Sequence, residues 1–134
     1  MDADDRAELR VRLPAVPESV SRARALTNEW CSRYAGMDGR LSDVLIAVTE
    51  AAANVVVHAY PDGGTGDFEL VLRDDHGRLI ATVRDEGIGY YVPSARPGLG
   101  SGLLVIQRAC DSSAIDAAEP GTIVTMRFRI PATS

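Results

Sequence analysis

Asp85-Glu86-Gly87-Ile88-Gly89 begins at the last residue of an apolar, β-rich run, Leu79 to Asp85. In a dinucleotide-binding βαβ unit, a helix begins at the glycines that follow such a strand. Here the glycines open a stretch interrupted by further Gly and Pro residues, and the next helical pattern begins only at Ser101. The sequence therefore argues against a Rossmann fold and places this block between a strand and a loop over a site.

The remaining sequence alternates between strand-like and helix-like periodicity in the order β-α-α-β-β-loop-α-β-β. Strands joined by hairpins form a mixed, mainly antiparallel sheet, and three helices can cover one of its faces. The predicted fold is therefore an α/β (α+β) two-layer sandwich. The predicted elements are strands at Glu8–Leu13, Phe68–Leu72, Leu79–Asp85, Ala114–Ala118 and Thr122–Ile130, and helices at Pro17–Tyr34, Ser42–Ala59 with Ser42 as N-cap, and Ser101–Cys110.

The length of 134 residues fits a single domain, 1–134, with an expected ordered core of about 8–130. With 46% hydrophobic and 25% charged residues, the composition is that of a soluble globular protein. The N-terminus, Met1-Asp-Ala-Asp-Asp-Arg6, is acidic and lacks the apolar region of a secretory signal. Cys31 and Cys110 stand singly, without metal-binding spacing, and are expected to be reduced thiols. A cytoplasmic location follows from these features.

The charge balance restricts both the partners and the chemistry. The net charge is -5 and the basic residues are scattered along the sequence, which argues against nucleic acid or a membrane as the main partner. All 14 basic residues are arginine, so a Walker-A lysine, the strand lysine of ordinary protein kinases and a Schiff-base lysine are excluded. Any phosphate must be held by backbone amides, arginine or a metal ion.

Glu50, Asn54 and His58 are four residues apart and lie in one row on a predicted helix. The Asn54 oxygen suits Mg²⁺, whose other ligands would be phosphate oxygens and water. Glu50, one turn away, suits a base that deprotonates a nucleophile. The competing interpretation is that these residues form the solvated side of an amphipathic helix. For His58, near the helix end, a capping or structural role is favoured over catalysis.

Asp85 lies at a strand end, where its carboxylate can accept a hydrogen bond from an exocyclic amine. Gly87 and Gly89 would allow a flat base to approach the backbone, and the combination favours adenine. The alternative is a tight turn with an acidic first residue. Thr122, after Gly121 in the last hairpin, would place a hydroxyl near Asp85 across the sheet, although turn chemistry alone also explains this pair.

Gly98-Leu99-Gly100-Ser101-Gly102 immediately precedes or opens the third helix. Free backbone amides and the positive end of the helix dipole could hold a polyphosphate there without lysine. Arg96 is close enough in sequence to reach the terminal phosphate, although an arginine in a polar loop is usually just solvated.

Together these blocks resemble the Bergerat-fold ATPases of the gyrase, histidine-kinase and MutL superfamily, and within it the anti-sigma factor serine/threonine-protein kinases. The resemblance extends from about residue 8 to 130. Tyr91 departs from the family, since many relatives have Asp there, and Arg96 is offset from the family's phosphate-sensing arginine. The matching motifs are Glu50-Ala-Ala-Ala-Asn54-Val-Val-Val-His58-Ala-Tyr60 for the N-box, Asp85–Gly89 and Gly98–Ile106 for the two glycine boxes, and Gly121-Thr122 for the closing motif.

The resemblance implies roles for the matching residues. Glu50 would be the general base, Asn54 the Mg²⁺ ligand and Asp85 the adenine anchor, with Thr122 as its water-mediated neighbour. The glycines at 98–102 would hold the phosphates of ATP.

The resemblance also implies a homodimer that binds a sigma factor and phosphorylates a serine on an anti-sigma factor antagonist protein. Arg24 on the first helix is the best match to a partner-binding arginine of the family, with Arg22 as the alternative. Two other functions remain open. One is a nucleotide-gated binding protein without phosphotransfer. The other, a detached histidine-kinase catalytic domain, is the less favoured, because neither His58 nor His76 has a phosphoacceptor context.

Overall fold

The computed structural model describes residues 8–33, 37–60, 65–87, 97–118 and 120–130, without the side chains of 38 and 97–102. The described part forms two layers, a five-stranded sheet and three α-helices on one of its faces. The strands are β1 (Glu8–Pro14), β2 (Asp67–Asp75), β3 (Arg78–Asp85), β4 (Ser112–Ala117) and β5 (Thr122–Arg129), and the helices are α1 (Pro17–Cys31), α2 (Leu41–Asn54) and α3 (Pro97–Ala109). The predicted order of elements is thus confirmed.

The sheet has the strand order β1-β2-β3-β5-β4, and every pair of neighbouring strands is antiparallel. The expectation of a two-layer α/β sandwich with a mainly antiparallel sheet is therefore confirmed, and the described strands contain no parallel pair. His76 and Gly77 both have positive φ values, 52° and 87°, as a two-residue type I′ turn between β2 and β3 requires. This turn fixes the register that sets Asp85 opposite Phe68 at the other end of the hairpin.

Alternation along the strands creates two different sheet faces. Side chains on the inner face pack under the helices, and Phe68, Leu70 and Phe128 are among the largest that are fully buried. The central helix α2 packs against both α1 and α3 and lies over β3 and β5. The buried thiols of Cys31 and Cys110 are free, and burial raises the pKa of each to about 12, which keeps both protonated at neutral pH.

Helix α2 differs from the prediction at both ends. It begins at Leu41, with Arg40 at the N-cap position and no side-chain cap, so the prediction of Ser42 as N-cap was wrong. An Arg40 guanidinium that hydrogen-bonds Asp43 at 2.9 Å and Asp111 at 3.0 Å holds this end instead. At the other end, a π-helical segment, Val55–Ala59, continues the helix. A π turn widens the backbone ladder, and such turns occur frequently at functional sites.

The continuous helical stretch Leu41–Ala59 is long and apolar enough, by length and composition, to cross a membrane. The apolar composition is explained by the position of α2 in the core, because this central helix is enclosed by α1, α3 and the sheet. Seven of its residues up to Asn54 are buried. A core helix surrounded on several sides is expected to be apolar over most of its circumference.

The other element boundaries shift modestly from the predicted ones. Helix α1 ends at Cys31, and Tyr34 lies outside the described residues. Strand β2 continues to Asp75 and β4 begins at Ser112. The largest shift concerns α3, which begins at Pro97 and not at Ser101. The second glycine block therefore lies inside the first turns of this helix.

Candidate nucleotide site

Asp85 is the most buried acidic side chain in the described part of the chain, with 1% of its surface exposed. It is the last residue of β3 and lies directly opposite Thr122, the first residue of β5. Its carboxylate accepts hydrogen bonds from the backbone N–H of Gly87, at 2.9 Å, and from the backbone N–H of Thr122. Burial raises the pKa of Asp85 above its ordinary value, and these two hydrogen bonds act in the opposite direction.

Two glycines allow the backbone to pack closely around Asp85. A Cβ on Gly121 would lie 1.9 Å from the Asp85 carbonyl oxygen, and Gly121 also has a φ of 101°. A Cβ on Gly87 would lie 2.1 Å from the carbonyl oxygen of Ala59 in the π-helical segment. Gly87 was predicted to give access to a flat base, but its Cβ position faces Ala59. The end of the central helix and the end of β3 are therefore fitted together backbone to backbone.

Tyr60, the residue after the π-helical segment, ties three parts of the chain together. Its hydroxyl donates a hydrogen bond to the Asp67 carbonyl oxygen at 2.7 Å and accepts one from the Glu86 N–H at 2.9 Å. Its ring lies so close to Gly66 that a Cβ there would be 2.2 Å away. Burial raises the pKa of the Tyr60 phenol, so the hydroxyl remains a donor at neutral pH. The backbone between Asp85 and Gly87 is thus anchored to the helix.

Asn54 is the last residue of α2 and is 8% exposed, and Thr122 is 2% exposed. The buried Asn54 Nδ2 has no hydrogen-bond partner among the described residues. A buried amide without a partner costs free energy, so a ligand that satisfied the amide would bind favourably. The solvated-face interpretation therefore does not apply to Asn54, whereas Glu50 and His58 are only half-buried. Because His58 lies in the π-helical segment, it does not continue the α-helical row of Glu50 and Asn54.

The start of α3 provides the third part of the candidate site. Since the helix begins at Pro97, the backbone N–H groups of Gly98, Leu99 and Gly100 belong to its first turn. N–H groups in a first turn have no acceptor within the helix, and they lie at the positive end of its dipole. Ser101 and Gly102 follow in the next turn of the helix. The predicted residues Gly89 and Arg96 lie outside the described residues.

Arg24 lines a groove of about 340 Å³ between α1 and α2, together with Ser21, Ala25, Asn28 and Leu45. Arg22 is exposed on the same helix but does not line this groove. A side chain that borders a concave surface offers a partner more contact than one that projects into solvent. The geometry therefore favours Arg24 over Arg22 as a contact residue.

Among the described residues, no group of three His, Cys, Asp or Glu side chains is placed to hold a metal ion. A Mg²⁺ ion bound through one protein oxygen, phosphate oxygens and water does not need such a group. The Asn54 side chain has an oxygen of the type that such coordination uses, whereas its unpartnered Nδ2 is a donor that would need an acceptor such as a phosphate oxygen.

The Asp85→Asn variant tests the free-energy cost of burying this carboxylate. Burial raises the pKa of Asp85 in the folded state above its ordinary value, so the folded protein binds more protons than the unfolded chain. Its stability therefore falls as the pH rises from the unfolded-state pKa through the higher folded-state pKa. Asn has no charge to bury. We therefore expect Asp85→Asn to be at least as stable as the wild type at pH 7 in urea unfolding, and to lose that advantage below about pH 4. A variant clearly less stable at pH 7 would contradict this account.

Comparison with known proteins shows which proteins this chain is similar to. The profile of a family described as "Histidine kinase-like ATPase domain" matches residues 13–128. A protein of Halalkalibacterium halodurans named serine-protein kinase RsbW is 33% identical over 92 residues, which cover 69% of this chain and 56% of that protein. A Bacillus licheniformis protein named anti-sigma F factor is 26% identical over 132 residues, which cover 87% of this chain and 88% of that protein.

A solved structure has the same fold. The crystal structure of the RsbU and RsbW domains of a Mycobacterium tuberculosis protein superposes with a TM-score of 0.74 at 22% identity. The match covers 92% of this chain and 32% of that longer one. The match to the first of the relatives above likewise spans little more than half of that relative's length, 56%.

Proposed function

The chain belongs to the histidine kinase-like ATPase domain family, and we propose that it is an ATP-binding anti-sigma factor and a serine protein kinase. In this proposal it binds a sigma factor and transfers the terminal phosphate of ATP to a serine on an anti-sigma factor antagonist. The names of relatives that cover much of the chain, serine-protein kinase RsbW and anti-sigma F factor, support this function.

Asp85 is the residue on which ATP binding chiefly rests. Its buried carboxylate is held by the Gly87 and Thr122 N–H groups, and its main chain packs against the Gly121 backbone. A fixed, desolvated carboxylate of this kind requires a hydrogen-bond donor. It therefore suits adenine, which has an exocyclic amine at the position where guanine has a carbonyl oxygen. Thr122, directly opposite, would position a water between its hydroxyl and the base.

Asn54 would hold Mg²⁺ through its side-chain oxygen, and the α3 N-terminus would hold the phosphates. Bound Mg²⁺ would offset the phosphate charge. The N–H groups of Gly98 and Gly100 in the first turn suit phosphate oxygens, with Ser101, Gly102 and Arg96 as further contacts. Backbone amides take the place of lysine in this chain, whose basic residues are all arginine.

Glu50 would act as the general base. It lies on α2 one turn before Asn54 and remains half-buried, so its carboxylate is accessible to a hydroxyl group from a partner protein. It would accept the proton of the substrate serine as the serine oxygen attacks the terminal phosphate. A base one helical turn from the metal ligand is well placed for this transfer.

Partner binding is proposed at the groove beside Arg24, with Arg22 as a more peripheral contact. The groove is lined by the apolar side chains of Leu45 and Ala25 and the polar side chains of Asn28 and Ser21. Mixed apolar and polar surfaces with an arginine are typical of protein interfaces. We further propose that the chain forms a homodimer and acts in the cytoplasm.

A phosphotransfer assay tests the kinase function. The protein would be incubated with γ-labelled ATP, Mg²⁺ and a purified antagonist protein encoded beside its gene. We expect label on an antagonist serine, and no label when ATP binding is removed by Asp85→Asn. A protein that binds ATP by calorimetry but labels no antagonist would exclude the kinase function.

A second function is a nucleotide-gated regulator that captures a partner without phosphotransfer. It is favoured by the Arg24 groove, whose lining does not include Glu50. Nucleotide-dependent capture of a sigma factor by both the wild type and Glu50→Ala, without transfer, would establish it. Capture that ignored nucleotide would exclude it.

A further inference from the structure

The outer face of the sheet, which points away from the helices, concentrates positive charge. It carries seven of the chain's 14 arginines and five of its 19 acidic residues. In the sequence these arginines are scattered, but they occupy alternate positions of their strands and so face the same side. The arginines are Arg10, Arg12, Arg73, Arg78, Arg84, Arg127 and Arg129, and the acidic residues are Glu8, Asp67, Glu69, Asp75 and Asp116.

The two halves of this outer face differ in how their charges are compensated. On β1, Arg10 pairs with Glu8 and Glu69, and Arg12 pairs with Asp67. The other five arginines form no ion pair with any residue that the structure describes, although Arg73, Arg84 and Arg78 are the register partners of Glu8, Glu69 and Asp75. These five, Arg73, Arg78, Arg84, Arg127 and Arg129, are called the basic strip below.

The basic strip includes a directly opposed pair of like charges. Arg78 on β3 and Arg129 on β5 are register partners, and Arg127, two residues away on the same face, lies opposite Ser112. Like charges directly opposite each other destabilise a sheet, and a bound anion would relieve this repulsion. The three arginines and Ser112 line a pocket of about 190 Å³, together with Asp111 and Phe128.

The one carboxylate in this pocket is already engaged. Asp111 accepts a hydrogen bond from the Arg40 guanidinium at 3.0 Å and another from the Arg129 backbone N–H. It forms no ion pair with the arginine side chains of the pocket, although its charge is only partly compensated because Arg40 also pairs with Asp43. Four of the five arginines of the strip are exposed, and Arg127 is half-buried.

We propose that the basic strip binds an acidic segment of a partner protein, through carboxylates that occupy the Arg78–Arg127–Arg129 pocket. Guanidinium groups bind carboxylates in a bidentate geometry, and the Ser112 hydroxyl adds a donor beside them. The occupant is a short peptide segment. A long polyanion such as nucleic acid would meet the rest of the chain, which holds seven arginines and 14 acidic residues.

A second copy of this chain fits the strip less well. Of the acidic residues on the outer face, Glu8, Asp67 and Glu69 already pair with β1 arginines, and Asp75 is bonded to His76. Asp116 is the one that remains without an ion pair among the described residues. A facing copy would therefore bring mainly arginines to the arginines of the strip.

The test compares the double variant Arg78→Gln/Arg129→Gln with Arg33→Gln/Arg108→Gln. Both remove two exposed positive charges, and the control positions lie beyond α1 and on α3, away from the outer face. The probe is a fluorescein-labelled deca-glutamate peptide, titrated without nucleotide at low salt and followed by anisotropy. We expect the first variant to lose about tenfold in affinity and the control to match the wild type.

Two further measurements distinguish an acidic peptide from nucleic acid and from a second copy of the chain. A ten-nucleotide thymidine DNA should bind more weakly than deca-glutamate, and sedimentation should give the same association state for both double variants. Equal peptide affinity in both variants would overturn the proposal. Stronger binding of DNA would assign the strip to nucleic acid, and a change of association state in Arg78→Gln/Arg129→Gln alone would assign it to a second copy.

Discussion

Glu50→Ala should reduce phosphotransfer to the antagonist by about a hundredfold to ten-thousandfold, the range that a general base contributes. ATP affinity should change little, because the proposed contacts of adenine and of the phosphates, at Asp85 and the α3 N-terminus, do not include this carboxylate. The folded state should also be retained, since Ala has the highest helix propensity and Glu50 is only half-buried in α2. Single-turnover transfer with labelled ATP and calorimetric binding measure the two effects separately.

Glu29→Ala provides the matched control, because Glu29 is an exposed glutamate on the neighbouring helix α1. It removes the same charge and should leave transfer unchanged. Glu50→Gln adds a second comparison, since it keeps the size of the side chain but cannot accept the proton, and it should be as inactive as Glu50→Ala. Transfer at the wild-type rate by either Glu50 variant would show that another group deprotonates the serine.

Gly121→Ala should lower the free energy of unfolding by at least about 3 kcal/mol, a large effect for one methyl group. The left-handed backbone alone costs about 1–2 kcal/mol for a residue with a Cβ. The rest comes from the steric conflict, because the new Cβ would lie 1.9 Å from the Asp85 carbonyl oxygen. Relief of that contact must move the end of β3, so ATP affinity should fall as well. Urea unfolding and calorimetry measure the two losses.

Gly77→Ala separates strain from steric conflict. Gly77 also has a positive φ, 87°, but a Cβ there meets nothing within 4 Å. This variant should therefore lose only about 1 kcal/mol and bind ATP normally. Equal destabilisation by the two substitutions would mean that backbone strain alone explains Gly121 and that the close contact with Asp85 has no energetic weight.

The order of elements and the position of Asp85 at the end of a strand could be predicted from the sequence because both depend on local signals. Period-two alternation identified the first strand, and β-rich runs joined by turn residues identified the others. Asp85 and Thr122, at strand ends, lie opposite each other in the sheet. The register followed from the turn at His76-Gly77, whose two positive φ values match the predicted Asp-rich, Gly-containing hairpin.

Several features depended on tertiary contacts and could not be predicted. The π-helical segment follows no local sequence signal, since Val55–Ala59 continues the apolar pattern of the helix. Arg40, and not Ser42, occupies the N-cap because its guanidinium reaches Asp111, which is distant in sequence. Asn54 was expected on a separate polar face but is buried.

The basic strip could not be predicted from the sequence either. It forms only when the pairing of β2, β3 and β5 brings arginines from distant positions together. The early start of α3 belongs to the same class, because a glycine-rich segment has weak helix propensity and is helical here despite it.

The close contacts at Gly87 and Gly121 have a consequence for the interpretation of related sequences. A relative can retain every polar residue of the site and still lose the nucleotide, because a larger residue at either position occupies space that backbone already fills. Such an inactive relative would gain atoms and would not lack any reactive group. A check of the acidic and amide residues of the site alone would wrongly classify it as able to bind nucleotide. The two positions without side chains are therefore the ones to inspect first when a homologous regulator is assigned as active or inactive.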